Sequence, residues 1–340
     1  MLMTACGKTT EPEIMPEVET TEEELTAETL EPVQEVADPF VFPLTGLSSP
    51  QDADLNVRPL VVMVENSPAA RPQTGLDQAD IVYEVLAEGD ITRFIAVYQS
   101  QTVAEIGPVR SIRPYFVELG VGLDGILIHA GWSQEAMNVM VAKKANHLDQ
   151  VYGDDAYFYR ERTRKMPHNV YASVERLRLG AQERKFREEW NNPKLEFATK
   201  EQVATVMQSI ETAATQVTIP YIQNYVVAYT YDSTTNTYLR LMKDKPHLDK
   251  MTEQQLSATN VVIIETKHRI VDDVGRREVD VFGPGQGLLL QGGKVRDIMW
   301  EFRQGAIRAF DIADAQQEIP LFPGKTWVQI IPTLDKVTYE

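Results

Sequence analysis

Thiols are almost missing from this sequence: among 340 residues only Cys6 is a cysteine. No intramolecular disulfide can form, and the body of the chain has no thiol for a nucleophile or a structural zinc site. No run of 18 or more apolar residues occurs, so no segment reads as a membrane-spanning helix. Cationic stretches are equally scarce. The longest, 160–165, is interrupted by Glu161 and Thr163, and the formal net charge is −17. Nucleic-acid phosphates call for a basic surface, so no nucleic-acid partner is expected. None of the five histidines lies three or four residues from another. Structural zinc is excluded on that ground, a catalytic zinc or a calcium loop has only weak support, and no metal or other cofactor is expected. The glycine-rich Gly283-Pro-Gly-Gln-Gly287 contains proline and precedes no helix, which argues against a phosphate loop.

What is present begins at the N-terminus. Met3-Thr4-Ala5-Cys6 resembles the lipobox of bacterial lipoproteins, with small side chains ahead of a cysteine to be lipidated. Only five residues precede Cys6, too few for the basic and apolar regions of a signal peptide, so residues 1–6 read as its remnant and a fuller signal upstream is expected. An incidental cysteine in a tail is the alternative. Residues 8–38 hold ten Glu, one Asp and one Lys, a net charge of −10, leaving about −7 for the rest. With few large apolar side chains, 7–38 cannot bury enough area to offset ordering entropy and reads as an acidic disordered spacer. The anchored partner would be the membrane, through lipid on Cys6, at the outer face of the bacterial cytoplasmic membrane.

The body divides by pattern. Residues 39–195 alternate strands (58–66, 79–86, 92–98, 125–131) with helices (111–119, 134–145, and one after Ser173 toward Phe186). Pro114 lies in the first turn of one helix, and Ser133 and Ser173 are candidate N-caps. This is an α/β or α+β domain. A connecting helix is predicted within 196–216, over 200–214. Residues 217–340 then read as mainly β, with a hairpin at 225–231 and 237–242 and short strands at 261–265, 277–282, 287–291, 298–302, 306–310 and 327–331. Glycine-rich and polar turns join them, which suggests a barrel-like or sandwich-like C-terminal domain.

Several local patterns together resemble the YerB-type bacterial lipoprotein family. In the first half they are Arg71-Pro-Gln-Thr-Gly-Leu-Asp-Gln-Ala-Asp80, Tyr83-Glu84, Glu88-Gly89, Thr92-Arg93-Phe94, Gly107-Pro-Val-Arg-Ser-Ile-Arg113, His129-Ala-Gly131 with Ser133, and Pro167-His-Asn169 with Tyr171. In the second half they are Tyr231-Asp232, Tyr238 with Arg240, Pro246-His247 with Asp249, Asn260-Val261-Val262, Gly275-Arg276 and Pro323-Gly-Lys-Thr-Trp327. The resemblance runs in order from residue 43 to about 333. It implies lipidation and two domains of unknown function, N- and C-terminal, and supplies no activity.

Four constellations could carry chemistry. Arg71, Glu84, Glu88, Arg93, Arg110 and Arg113 form the first. Guanidinium forks beside a helix start suit a carboxylate or phosphate, and an internal ion-pair network accounts for the same residues. In the second, His129 could serve as a base and Ser133 as a nucleophile or donor beside Glu135. The plainer account is a sheet-bonded histidine and a helix cap, since no Gly-x-Ser-x-Gly elbow surrounds Ser133. The third, His168 and Asn169 after Pro167, could recognise a sugar or peptide, or simply stabilise a turn. The fourth, His247 and Asp249 beside Arg240, reads as a solvated loop. Trp300 and Trp327 read as core, although the four tryptophans could line a carbohydrate cleft.

Two functions of different class follow, and whether the protein is an enzyme stays open. One is a lipid-anchored extracytoplasmic protein binding a cell-wall component, a small anionic ligand or an envelope protein. The other is a cell-wall hydrolase or transferase using Glu84 or Glu88 with His129 or His168, which needs carboxyls facing an open groove. A structural role in envelope assembly through the β-rich part is a third.

Overall fold

Ten strands of one sheet come from both halves of the chain. The structure, a computed structural model, describes Leu2, Gly7, residues 40–191 and residues 195–340. Cys6 and the acidic segment 8–38, on which the anchor and spacer were read, lie outside the described residues. The elements in the first half are β1 (Leu60–Glu65), β2 (Ile81–Glu88), β3 (Ile91–Tyr98), α1 (Pro114–Gly122), β4 (Ile126–His129), α2 (Gln134–Lys143), β5 (His147–Asp149), β6 (Tyr159–Arg160), β7 (Val170–Tyr171) and α3 (Val174–Glu183). There follow α4 (Lys200–Ser209), β8 (Gln216–Ile222), β9 (Tyr225–Asp232), β10 (Thr237–Met242), β11 (Lys245–Pro246), β12 (Ser257–Ala258) and β13 (Asn260–Glu265). The last are β14 (His268–Ile270), β15 (Arg277–Val279), β16 (Gly285–Gln291), β17 (Lys294–Arg303), β18 (Ala306–Phe310), β19 (Thr326–Ile331) and β20 (Thr338–Tyr339).

The large sheet has the order β18-β17-β16-β13-β19-β2-β3-β1-β4-β5. Its central strands are apolar throughout because both faces are covered. Along β1, Leu60, Val62 and Val64 enter one core while Val61 and Met63 enter the other. The second core is filled by Tyr115, Phe116 and Leu119 of α1 and Ala136 and Met140 of α2. The first is closed by Val174, Leu177 and Ala181 of α3 and by Val217, Ile219, Tyr221 and Val227 of a second, antiparallel sheet. That sheet runs β11-β10-β9-β8-β20, with β12 on β10. Apart from the connecting α4, the helices among the described residues thus belong to the first half and strands dominate the second, as the pattern predicts. Among the described residues the C-terminal strands close no barrel. They form the second sheet, and β13 with β16–β19 extends the sheet begun by β1–β5.

Local chemistry explains the helix ends. The Ser133 hydroxyl accepts the Ala136 amide at 3.3 Å and Ser173 accepts Arg176 at 3.2 Å. The helix predicted from Ser111 starts instead at Pro114, with Arg113 extended (φ −123°, ψ 161°) as the residue before proline prefers. The helix expected to reach 214 stops at Ser209. Its last turn is given up so that Thr212 and Ala214 bond to Val295 and Gly293. Strand β8 had no clear signal because Pro220 interrupts it, and the pairing with β9 shifts register there.

Candidate functional site

Strands β13, β19, β2, β1, β4 and β5 all run in one direction, since every link between them is parallel or a pair of antiparallel steps through β3. Their C-terminal ends therefore meet at one edge, carrying Glu265, Glu88, Glu65, His129 and Asp149. Helices α1 and α2 start at the same edge. Ligand sites in sheets of this kind lie outside the carboxyl ends of the strands, and a cleft of about 560 Å³ opens there.

One wall is the N-terminal ends of α1 and α2, with Arg113, Tyr115 and Ser133. The other is the β14–β15 hairpin, with Arg277, Val279 and, just beyond it, Phe282. The hairpin is tied down by the Gly89 amide, which donates to the Gly275 carbonyl at 3.1 Å, and by Arg277 Nη2, which donates to the Gly89 carbonyl at 2.9 Å. Gly275 (φ +81°) allows that approach, because a Cβ there would stand 3.0 Å from the Gly89 nitrogen.

Behind the cleft, Glu88 joins two guanidinium groups. Arg93 Nη2 donates to it at 2.8 Å and Arg113 Nη2 bonds its other oxygen. Burial pushes the Glu88 carboxyl up, but Arg93 and Arg113 outweigh it and hold it below the usual carboxylate range. Burial in turn lowers Arg93 to about 10. Arg113 is further fixed by the Ile112 carbonyl (2.9 Å) and Ser111 Oγ (3.2 Å). Two donors remain over. Nε of Arg113 and Nε of Arg277 are both buried with no hydrogen-bond partner among the described residues. Two arginines on opposite walls, each with an unused N–H, and an apolar floor between them suit an anion attached to an apolar body.

The first predicted constellation is split three ways. Arg93, Glu88 and Arg113 form the group just described. Glu84 lies on the other face of the sheet, wholly buried between the two sheets and paired with Arg240 Nη2 at 2.7 Å. Its second oxygen accepts from Tyr225 (2.6 Å), Thr92 (2.8 Å) and Asn66 (3.3 Å). Arg71 serves that interior network, donating to the side chain (3.0 Å) and carbonyl (2.6 Å) of Asn66. Arg110 stands 3.6 Å from Glu65, which also accepts from His168 Nδ1 at 2.9 Å and Ser67 at 2.8 Å. Asn169 accepts from Arg160 at 2.9 Å.

His129 is buried at the end of β4, 3.1 Å from His147 and 3.0 Å from the Gly131 carbonyl. Burial and then the His147 neighbour lower it to about 3, so it stays neutral. Ser133 caps α2. His247 is not a solvated loop residue. It is 5% exposed, bonded to Arg240 Nε (3.1 Å) and Gln73 (2.8 Å), because β10 and β11 fold it under the second sheet. Trp300 and Trp327 are core. Sequence reasoning did not single out Arg277 or Glu65. The pair Arg276-Arg277 after a turn glycine was the available sign for the first, while an apolar run hid the second at its end.

Residues 44–187 match the family described as "Protein of unknown function (DUF3048) N-terminal domain", and residues 217–328 match its C-terminal domain. The chain is similar to the Bacillus subtilis (strain 168) protein named "Putative lipoprotein YerB", 37% identical over 306 residues that span 89% of each chain. It is also similar to the crystal structure of YerB protein from Bacillus subtilis, with a TM-score of 0.80 and 36% identity, covering 88% of this chain and 99% of that one.

Proposed function

The chain belongs to the YerB-type (DUF3048) lipoprotein family, and from that premise we propose that it is a lipid-anchored binding protein of the cell envelope. A lipid on Cys6 holds it at the outer face of the cytoplasmic membrane, and its cleft takes a partly apolar envelope component carrying a carboxylate or phosphate. The anchor rests on the lipobox-like Thr4-Ala5-Cys6 and on the name of the Bacillus relative. No helix among the described residues is long and apolar enough to cross a membrane. The observation that carries the ligand is that Arg113 and Arg277, which both line the cleft, each keep a buried Nε–H with no hydrogen-bond partner among the described residues. In water-poor surroundings such donors favour a ligand oxygen strongly. The apolar portion would rest on Tyr115, Val279 and Phe282.

Acid–base hydrolysis has less support. It needs carboxyls open to a groove, whereas Glu84 is enclosed with Arg240 and Glu88 is held by two arginines.

Two measurements test the reading. Intact mass of the membrane-extracted protein is expected to carry a diacylglyceryl group that the Cys6→Ala form lacks; an unmodified, soluble chain would remove the anchor. Isothermal titration with laurate, which joins a carboxylate to an alkyl chain, is expected to saturate, and Arg277→Met to weaken binding by about tenfold. Equal binding by wild type and Arg277→Met, or none, would count against the cleft.

A further inference from the structure

At the opposite edge of the large sheet lies a group that the cleft does not use. Strand β17 runs parallel to β13, being two antiparallel steps away through β16, so its first residues stand at the edge remote from the cleft. There a depression of about 360 Å³ is lined by Arg296 and Asp297 of β17, Asp311 and Ile312 after β18, Thr212 before β8, and Tyr339 of β20. Two guanidinium nitrogens of Arg296, Nε and Nη2, are buried and have no hydrogen-bond partner among the described residues. Burial lowers its pKa against the pull of Asp311. Arg296 thus keeps unused donor capacity beside the depression. The space would hold far more than one water, whose share of liquid volume is about 30 Å³.

We infer that this depression is a binding site for a neutral saccharide. The chemistry of the lining selects that class. An anion would meet Asp297 and Asp311 as well as Arg296, and a cation would meet Arg296 at close quarters. A polyol uses both signs, because each hydroxyl accepts from the guanidinium and donates to a carboxylate. Tyr339 (41% exposed) and Ile312 (62% exposed) offer apolar surface for the C–H face of a sugar ring. Tyr339 is held in place, since its strand pairs with β8 through Val217 and the Glu340 carbonyl accepts the Thr215 amide. The site is separate from the anionic cleft and does not depend on it.

The test is titration of the whole protein with the neutral tetra-N-acetylchitotetraose, followed by calorimetry and by tyrosine-ring NMR signals. Saturable binding is expected, weakened by about tenfold or more in both Arg296→Met and Tyr339→Ala and unchanged in Arg277→Met. Near-UV circular dichroism checks that each variant keeps its fold, and Tyr339→Ala, at an exposed position, stands in if Arg296→Met does not. No saturation up to about 10 mM would overturn the inference. So would undiminished binding by both variants, or saturation by inorganic phosphate in place of the sugar.

Discussion

Arg240→Met is the sharpest test of how the two sheets are joined. Arg240 is wholly buried on β10 of the second sheet, its guanidinium 4.6 Å above the Trp327 ring, and pairs with Glu84 on β2 of the large sheet. Methionine nearly preserves the volume, so little of the effect comes from a cavity. What changes is charge. Glu84 keeps the Tyr225, Thr92 and Asn66 donors but loses its only ion-pair partner among the described residues. Breaking a buried pair from one side costs about 3–5 kcal/mol. The expected loss in urea unfolding, followed by tryptophan fluorescence, therefore falls in that range. Adding Glu84→Gln removes the stranded charge while leaving an oxygen for Tyr225 and Thr92. The double variant is expected to be more stable than Arg240→Met alone by about 1–2 kcal/mol, a coupling that distant sites would not show. A loss below about 1 kcal/mol in Arg240→Met, or additive costs in the double variant, would refute the pairing as the tie between the sheets.

Three further outcomes are expected. Burial and the His147 neighbour lower the His129 pKa to about 3 in the fold, against about 6.5 when unfolded, so the unfolded chain binds the proton first as the pH falls. The stabilising contribution of His129 is complete above pH ~6.5 and falls as the pH drops toward 3, by about 2 kcal/mol at pH 5. Asp249 acts oppositely, because burial and then Asp77 raise it to about 6 against backbone amides that lower it, and its folded form gains protons as the pH falls. The difference between wild type and His129→Gln across pH 5–7.5 isolates the histidine, and identical slopes would exclude it. Ser133→Ala removes the α2 cap and is expected to cost about 1 kcal/mol in the same unfolding assay. Gly180→Val on α3 should cost about 1–3 kcal/mol, since even its Cβ would stand 2.7 Å from Tyr157 and 2.9 Å from Leu148; a neutral result would mean that α3 does not pack closely there.

Much of the local structure was legible because its causes are local. The apolar run of β1, the serine before α2, the proline opening α1 and the polar turn between β9 and β10 each act within a few residues. Even the resemblance to the YerB-type family rests on short ordered motifs. The candidate site was legible only as a list of residues. Arg71, Glu84, Glu88, Arg93, Arg110 and Arg113 were grouped by type and proximity in sequence, but strand alternation sends Glu84 to one face of β2 while Glu88 lies at its end beyond a register shift. Neither the partner of Glu84 nor the opposing wall of the cleft could be read locally.

The sequence by itself therefore determined the kinds of element, their caps and turns, the acidic N-terminal stretch and the family, since these depend on neighbouring residues, composition and motif. Only the tertiary structure decided that β13 and β16–β19 complete the first sheet, that Glu84 bonds Tyr225 across 141 residues and pairs with Arg240, and that Arg113 and Arg277 line one cleft. Those pairings join segments far apart in the chain. Their energy comes from burial and charge complementarity in three dimensions, which leaves no period or spacing in the sequence to announce them.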